Sequence, residues 1–167
     1  EDLDKCIQSI EQRSNYRNYE FIIIENNSEL PETFEYYKRL EAENKKARVV
    51  YWEKGFNFSA INNFGAGFAK GEYLLLLNND TEMIGPDCLW ELLGPCMRED
   101  VGITGARLYY EDGTIQHAGV VIGFGGIAGH TFIGFDKEAN GYFSRIICAQ
   151  NYSAVTAACM MTKKSVY

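Results

Sequence analysis

The sequence predicts an α/β protein in which helices cover both faces of a mostly parallel sheet, followed by a mixed or antiparallel C-terminal part. Three observations predict this class. Strand-like and helix-like segments alternate over the first 100 residues. The run Leu74–Leu77 is apolar at every position, as expected of a central strand buried on both sides. After Asp100, two β-rich runs meet at the hairpin signal Asp112–Gly113, and a Gly-rich tract follows.

Four segments have the pattern of helices. The first opens the chain with no strand before it, and its apolar stripe consists of Leu3, Cys6, Ile7 and Ile10. Pro31, suited to a first helical position, predicts a second helix over LPETFEYYKRLEAENKK. The segment FNFSAINNFGAGFAKG predicts a third helix that ends before Gly71. PDCLWELLGPCMRED predicts a fourth that is interrupted or ends near Gly94 and Pro95.

Apolar and β-branched runs between these helices predict the strands. They lie at Phe21–Ile24, Val49–Trp52 and Leu74–Leu77. Each run alternates with a helix, which favours parallel pairing through βαβ units. A last strand is predicted in SAVTAACMMT, where small residues lie on one face.

Composition excludes several classes of function. The chain has 167 residues, 46% of them hydrophobic and 14% aromatic, which argues against disorder. Lys and Arg number 16 against 23 Asp and Glu, giving a net charge of −7. No general basic field is therefore present to gather nucleic acid, and we expect no nucleic-acid partner.

The cysteines and the hydropathy pattern favour a cytoplasmic protein. Five cysteines are widely spread and form no C-x-x-C pair, which argues against a disulfide framework or a thiolate zinc site. No apolar run approaches the roughly 20 residues of a membrane helix, and we expect no transmembrane segment in this chain. Because the chain starts at Glu1 with a helix, we expect one truncated domain over residues 1–167.

The segment LLLLNNDTE is the most informative for chemistry. Polar residues that follow a buried strand of an open α/β sheet project where ligands collect. Asp80 and Glu82, two residues apart, are suited to one Mg²⁺ or Mn²⁺ ion that also binds phosphate oxygens. The alternative is that Asn78–Glu82 forms only a turn and caps the next helix.

A second polar segment follows the first predicted strand. Glu25, Asn26 and Asn27 have side chains that can bind a base edge or ribose hydroxyls. An ordinary turn rich in Asn and Ser explains the same residues.

The start of the third predicted helix carries neutral amides. Asn62 and Asn63, in FNFSAINNFGAG, can contact a ligand. The neutral amides of this helix start, Asn57 included, can also cap the helix, and capping and helix packing explain Ser59 and Gly65 adequately.

The two histidines of the chain, His117 and His130, lie in the second half. Imidazole can bind metal or contact a sugar, but a spacing of thirteen residues matches no compact metal motif. A structural role and a role in binding the donor or the acceptor therefore both remain open.

The assembled string of motifs resembles a known family. A strand ending in ENNS, then FNFSAINNFGA, AKGEYLLLLNNDTE, VGITGARLYYEDGTIQHAGV and AGH, is similar to the family 2 inverting glycosyltransferases with the Rossmann-like GT-A fold. The resemblance is greatest to bacterial rhamnosyl- and galactosyl-type members that build surface polysaccharide. It covers nearly the whole chain, with a nucleotide-binding half in residues 1–100 and a hairpin with the start of the acceptor half in residues 101–167.

The resemblance implies roles for individual residues. Asn78, Asn79 and Asp80 stand where the family has its D-x-D motif, so that Asp80 matches the metal ligand and Asn78 replaces the first Asp. The segment from Glu25 to Asn27 stands at the loop that recognises the nucleobase. Asn62 and Asn63 stand near the diphosphate, at an A-R-N sequence whose Arg is missing here. The family's first strand is expected before Glu1, and its catalytic base beyond Tyr167.

The resemblance also implies the reaction and its partners. We expect transfer of a sugar from a UDP- or dTDP-sugar donor to a saccharide or lipid-linked acceptor, with inversion and with Mn²⁺ or Mg²⁺ as cofactor. This activity places the protein in the cytoplasm, at the inner face of the membrane through other regions or partners. The alternative is a non-catalytic module that keeps the fold and binds carbohydrate or a partner. A sugar nucleotidyltransferase is disfavoured, because no Gly-rich phosphate loop with Arg and Lys opens the chain.

Overall fold

The computed structural model describes all residues from 1 to 167 and contains four helices and nine short strands. The helices are α1 (Asp2–Arg13), α2 (Pro31–Glu43), α3 (Phe58–Ala66) and α4 (Cys88–Cys96). The strands are β1 (Phe21–Glu25), β2 (Ala47–Tyr51), β3 (Tyr73–Leu77), β4 (Ile103–Gly105), β5 (Leu108–Tyr109), β6 (Ile115–His117), β7 (Val120–Ile122), β8 (Ala128–His130) and β9 (Cys159–Lys163). Helices and strands alternate from α1 to α4, which confirms the α/β class. None of the helices combines the length and the apolar character needed to span a membrane.

The first pair of strands has helices on both of its faces. β1 and β2 are parallel, with Phe21 opposite Ala47 and Glu25 opposite Tyr51. Successive side chains of a strand point to opposite faces. The Glu25 carboxylate meets α2, and Ile24 on the other face meets α3 so closely that Gly65 has no room for a side chain.

The structure corrects the prediction of a mostly parallel sheet. Only β1 and β2 pair in parallel, whereas β3 and β4 both pair antiparallel with β9. Two separate antiparallel pairs, β5–β6 and β7–β8, complete the strands. The physical reason is that β9 returns from the second half of the chain and lies between β3 and β4, pairing antiparallel with both.

Two apolar clusters hold the helices against this antiparallel sheet. Leu92, Leu93 and Cys96 of α4 pack on Cys159 and Met161 of β9. In the other cluster, α1 contributes Cys6 and Ile10, which pack with Leu89 of α4. The half-buried Leu75 and Leu77 of β3 contact both clusters, so α1 and α4 pack together on β3.

The predicted hairpin is present between β5 and β6. The Asp112 carboxylate accepts hydrogen bonds from the Thr114 backbone N–H at 2.9 Å and from its hydroxyl at 2.7 Å. Gly113 adopts a φ of 83°, a left-handed conformation that glycine tolerates. The last strand, by contrast, is shorter than predicted, because residues 153–156 make only an isolated bridge between Ala154 and Val120 before β9 begins.

Candidate active site at the end of β3

The segment that follows β3, Asn78–Met83, forms an exposed turn that we call the β3 tip. The Thr81 hydroxyl donates a 2.7 Å hydrogen bond to the Asn78 carbonyl, which closes the turn. Asn78, Asn79, Asp80 and Glu82 are exposed. The abrupt change from four leucines to polar residues therefore places two carboxylates and two amides at the end of β3, as the sequence predicts. The strand itself is mostly half-buried, with only Leu74 fully buried, rather than covered completely on both sides.

Helix α1 anchors the β3 tip. The Ser9 hydroxyl accepts a hydrogen bond from the Met83 backbone N–H at 2.9 Å, and Arg13 donates to the Met83 carbonyl at 2.6 Å. The Cys6 sulfur lies 3.8 Å from the Asn78 carbonyl oxygen. These contacts fix both ends of the tip while its carboxylates stay free to meet a ligand.

The donor set of the β3 tip fits a cation that is shared with a phosphate ligand. Asp80 and Glu82 take part in neither of the two ion pairs of the chain. No three acidic, histidine or cysteine side chains converge anywhere in the chain. Mg²⁺ is commonly held by one or two carboxylates together with substrate phosphates, and the tip offers this kind of donor set.

Glu25 is held inside the protein. It is 4% exposed, and its carboxylate accepts hydrogen bonds from the Ser28 backbone N–H at 2.6 Å, the Ser28 hydroxyl at 2.8 Å and the Tyr37 hydroxyl at 2.7 Å. Burial alone would raise the pKa of Glu25, but the three hydrogen bonds outweigh it, and the pKa lies below the ordinary value. Burial raises the pKa of Tyr37, and the adjacent Glu25 charge raises it further. Glu25 thus fixes the loop between β1 and α2.

The two asparagines after β1 join this loop to the segment that follows β2. Asn26 donates from its side-chain amide to the carbonyls of Trp52 at 3.1 Å and Lys54 at 3.0 Å. Asn27 donates to the Lys54 carbonyl at 3.2 Å. Because the amide nitrogens are engaged, the side-chain oxygens are the groups that these residues retain for a ligand.

The asparagines at the start of α3 and within it have different surroundings. Asn57, rather than Ser59, caps the helix, because its side-chain oxygen accepts a 3.0 Å hydrogen bond from the Ala60 backbone N–H. Asn62 donates to the Phe58 carbonyl at 2.8 Å within the helix, and Asn63 is exposed. No hydrogen bond links the residues after β1, or those of α3, to the β3 tip.

The two histidines meet beside an open cavity of about 290 Å³. The Nδ1 atoms of His117 and His130 lie 2.8 Å apart. His117 is only 1% exposed, and its Nε2 lies 3.3 Å from the Gly119 backbone nitrogen and 3.5 Å from that of Thr156. Burial, and secondarily the charge of His130, lowers the pKa of His117 to about 4.

The histidine cavity is adjacent to the β3 tip. Ala158 lines the cavity, and its carbonyl accepts a 2.9 Å hydrogen bond from the Asn78 backbone N–H. One hydrogen bond therefore connects the wall of the cavity to the first residue of the tip. The sequence gives no direct sign of the contact between the two histidines. His130 returns to the vicinity of His117 through the β7–β8 hairpin, in which it pairs with Val120.

Comparison with known proteins identifies close relatives of the chain. It is 44% identical over 165 residues to the "Uncharacterized protein y4gI" of Sinorhizobium fredii (strain NBRC 101917 / NGR234), and 36% identical over 166 residues to the "O-antigen biosynthesis protein RfbC" of Myxococcus xanthus. Each match covers 99% of this chain but only 18% and 13% of the respective relative. The chain thus spans less than a fifth of the length of these curated relatives. No solved structure matches it.

The family assignment covers almost every residue described above. The model of the family described as "Glycosyl transferase family 2" matches residues 1–165. This range includes both strand-end segments, the β3 tip and the histidine cavity. The resemblance found in the sequence is confirmed: the chain belongs to glycosyl transferase family 2.

Proposed function

We propose that the chain transfers a sugar from a nucleoside diphosphate donor to a saccharide acceptor, with inversion, in the synthesis of a bacterial surface polysaccharide. The observation that carries this proposal is the exposed β3 tip, which carries Asp80 and Glu82 and whose first residue, Asn78, is hydrogen-bonded to Ala158 in the wall of an open cavity. Family membership implies the α/β GT-A fold and supports glycosyl transfer. The O-antigen biosynthesis relative supports the polysaccharide setting.

The residues of the tip would bind the diphosphate end of the donor. Asp80 and Glu82 would hold Mn²⁺ or Mg²⁺ together with diphosphate oxygens, and such an ion, when bound, offsets the charge of the departing nucleoside diphosphate. Asn78 and Asn79 add neutral hydrogen-bonding groups beside these carboxylates. The tip would thereby give a chain of net charge −7 a local means of binding an anionic donor.

The segments that follow β1 and β2 would bind the rest of the donor. The free side-chain oxygens of Asn26 and Asn27 would accept hydrogen bonds from the base or ribose of a UDP- or dTDP-sugar, while Glu25 fixes their loop. Asn62 and Asn63 would lie toward the diphosphate. The base that deprotonates the acceptor hydroxyl would lie beyond Tyr167. The acceptor would be a saccharide, free or lipid-linked, used in the cytoplasm at the inner face of the membrane.

Calorimetry tests the metal and donor assignment. We expect UDP or dTDP to bind in the presence of Mn²⁺ and to lose this binding in Asp80→Ala. Glu99→Ala is the matched control, because it also removes one exposed carboxylate but away from the tip. The carbonyl of the neighbouring Arg98 accepts a hydrogen bond from Lys163, which pairs with Tyr73 at the opposite end of β3. Equal binding by Asp80→Ala and the unaltered protein would refute the assignment.

The amide at position 78 favours one alternative, a non-catalytic module that binds carbohydrate without donor chemistry. Such a module would bind saccharide in the absence of both metal and nucleotide, and it would release no nucleoside diphosphate. An assay of nucleoside diphosphate release, in protein extended at both ends of this chain, separates the two functions. Release that depends on Asp80 supports the enzyme.

A further inference from the structure

We infer that His117 fixes the tautomer of His130, so that the Nε2–H of His130 is presented to the adjacent cavity as a donor to an oxygen of a neutral saccharide. His130 is then the binding group, and His117 is a positioning residue that acts through it. The identity of the ligand rests on the proposed function, whereas the tautomers do not.

The backbone determines the state of His117. Its Nε2 receives two backbone N–H groups, from Gly119 at 3.3 Å and Thr156 at 3.5 Å. A nitrogen that faces two donors acts as an acceptor and carries no hydrogen. In a neutral imidazole the hydrogen must then reside on the other nitrogen. His117 is therefore the Nδ1–H tautomer, and a second proton would have to occupy the nitrogen that faces these N–H groups.

The 2.8 Å contact between the rings transmits this choice to His130. Nδ1 of His117 carries the hydrogen and donates it, so Nδ1 of His130 is the acceptor. The neutral ring of His130 then carries its hydrogen on Nε2. The two rings meet edge to face, with centroids 4.9 Å apart and planes at 80°. The buried His117, held by backbone N–H groups, therefore determines which nitrogen of the half-buried His130 carries the hydrogen.

The free nitrogen of His130 is available to a ligand. Every buried side-chain nitrogen and oxygen of the chain has a hydrogen-bond partner, whereas Nε2 of His130 has none. It follows that Nε2 is accessible, and the ring that carries it lines the cavity. The hydrogen on this nitrogen is thus offered to whatever occupies the cavity.

The lining of the cavity defines the class of ligand. Tyr110, Gln116 and Thr156 add neutral polar groups, and no Asp, Glu, Lys or Arg lines the cavity. A volume of about 290 Å³ equals that of about ten water molecules, enough for one sugar ring. A neutral sugar residue, rich in hydroxyl acceptors and donors, matches this lining better than an anion does.

Nuclear magnetic resonance tests the tautomers directly. Two-bond ¹H–¹⁵N correlations of the imidazoles at neutral pH distinguish the two nitrogens, and the chain has only two histidines to assign. We expect the Nδ1–H form for His117 and the Nε2–H form for His130. A hydrogen on Nε2 of His117, or averaging of both tautomers in either ring, would overturn the inference.

Substitution of His117 tests the positioning role. In His117→Leu we expect His130 to lose its single tautomer. In His117→Gln, whose amide can both donate to His130 and accept from the backbone, we expect the Nε2–H form to be largely restored. Equal effects of Leu and Gln on the His130 tautomer would show that His117 acts only through packing.

Titration with methyl rhamnoside and methyl galactoside tests the ligand class. We expect the Nε2 signals of His130 to shift on binding, and His130→Ala to weaken binding about tenfold, the loss typical of one hydrogen bond. Unchanged His130 signals at saturating glycoside would overturn the saccharide assignment. These readouts need neither metal nor nucleotide, so their failure is distinguishable from failure of the donor site at Asp80.

Discussion

Acidification is expected to destabilise the protein through His117 before the carboxylates become protonated. In the folded protein, burial and the charge of His130 lower the pKa of His117 to about 4 from the ordinary 6.5. Between these values the unfolded chain binds a proton that the folded chain does not, so the free energy of unfolding falls as the pH falls. The full difference corresponds to roughly 3 kcal/mol, of which about 2 kcal/mol is lost between pH 7 and pH 5.

Urea unfolding at stepped pH measures this loss, with the fluorescence of Trp52 and Trp90 as the signal. The perturbation is His117→Gln, which keeps polar contacts but cannot titrate. Its curve of unfolding free energy against pH should be flatter than that of the unaltered protein by about 2 kcal/mol between pH 7 and pH 5. The titratable groups around His117 are His130, in contact with it, and Tyr110 across the cavity.

Glu25→Gln provides a control for the general effect of acid. The pKa of Glu25 lies below its ordinary value of 4.5, so the stability that Glu25 contributes is present above pH 4.5 and is lost only as the pH falls below it. We therefore expect this variant to differ from the unaltered protein by a constant amount between pH 7 and pH 5. Parallel curves for His117→Gln and the unaltered protein would refute the reasoning about His117.

Two further predictions concern packing and the β3 tip. Gly65→Ala should cost about 1–3 kcal/mol in urea unfolding, since the new Cβ would overlap the Ile24 side chain, whereas Gly55→Ala, with open space around it in a loop, should change stability by less than about 0.5 kcal/mol; equal effects would contradict the close approach of α3 to β1. Ser9→Ala leaves the Met83 N–H without its acceptor and should lower the free energy of unfolding by about 1–3 kcal/mol in the same assay. It should also weaken Mn²⁺-dependent nucleotide binding measured by calorimetry. If both values were unchanged, anchoring of the tip by α1 would be refuted.

Local elements could be predicted from the sequence because each has a local cause. The apolar stripe at the N-terminus predicts α1, and Cys6, Ile7 and Ile10 are buried as expected. The Asp112–Gly113 signal predicts a turn whose hydrogen bonds involve only neighbouring residues. These patterns depend on spacing and side-chain type, which the sequence shows directly.

The partner of β3 could not be predicted in this way. Its apolar run indicates a strand correctly, although only Leu74 is fully buried, but nothing local shows that Leu77 pairs with Cys159, far along the chain. The alternation of helices and strands favoured parallel pairing of neighbouring strands. This inference fails for β3, because its hydrogen-bonded partner is the distant β9. Strand pairing is decided by tertiary contacts that a local pattern does not contain.

The candidate site shows the same limit. Ser28 lies three residues after Glu25, so the sequence shows it as a local hydrogen-bond partner of this carboxylate. The other partner, the hydroxyl of Tyr37, comes from α2 and is not visible in the same way. That third hydrogen bond holds Glu25 in the interior. The sequence therefore predicted the carboxylate at the correct strand end, but it could not show how far internal contacts occupy its oxygens.

The pairing of β9 with β3, which the sequence does not reveal, also explains why the β3 tip and the histidine cavity are adjacent. β9 pairs with β3 up to Leu77, and Ala158, immediately before β9, continues the pairing to Asn78. Ala158 also lines the cavity of His117 and His130. One strand register therefore sets the distance between the carboxylates of the β3 tip and the donor nitrogen of His130. A one-residue shift of that register would turn the side chains of β9 to the opposite face of the sheet, so the register is strongly specified. A donor bound at the β3 tip and an acceptor bound in the histidine cavity would therefore be held at a fixed distance from each other.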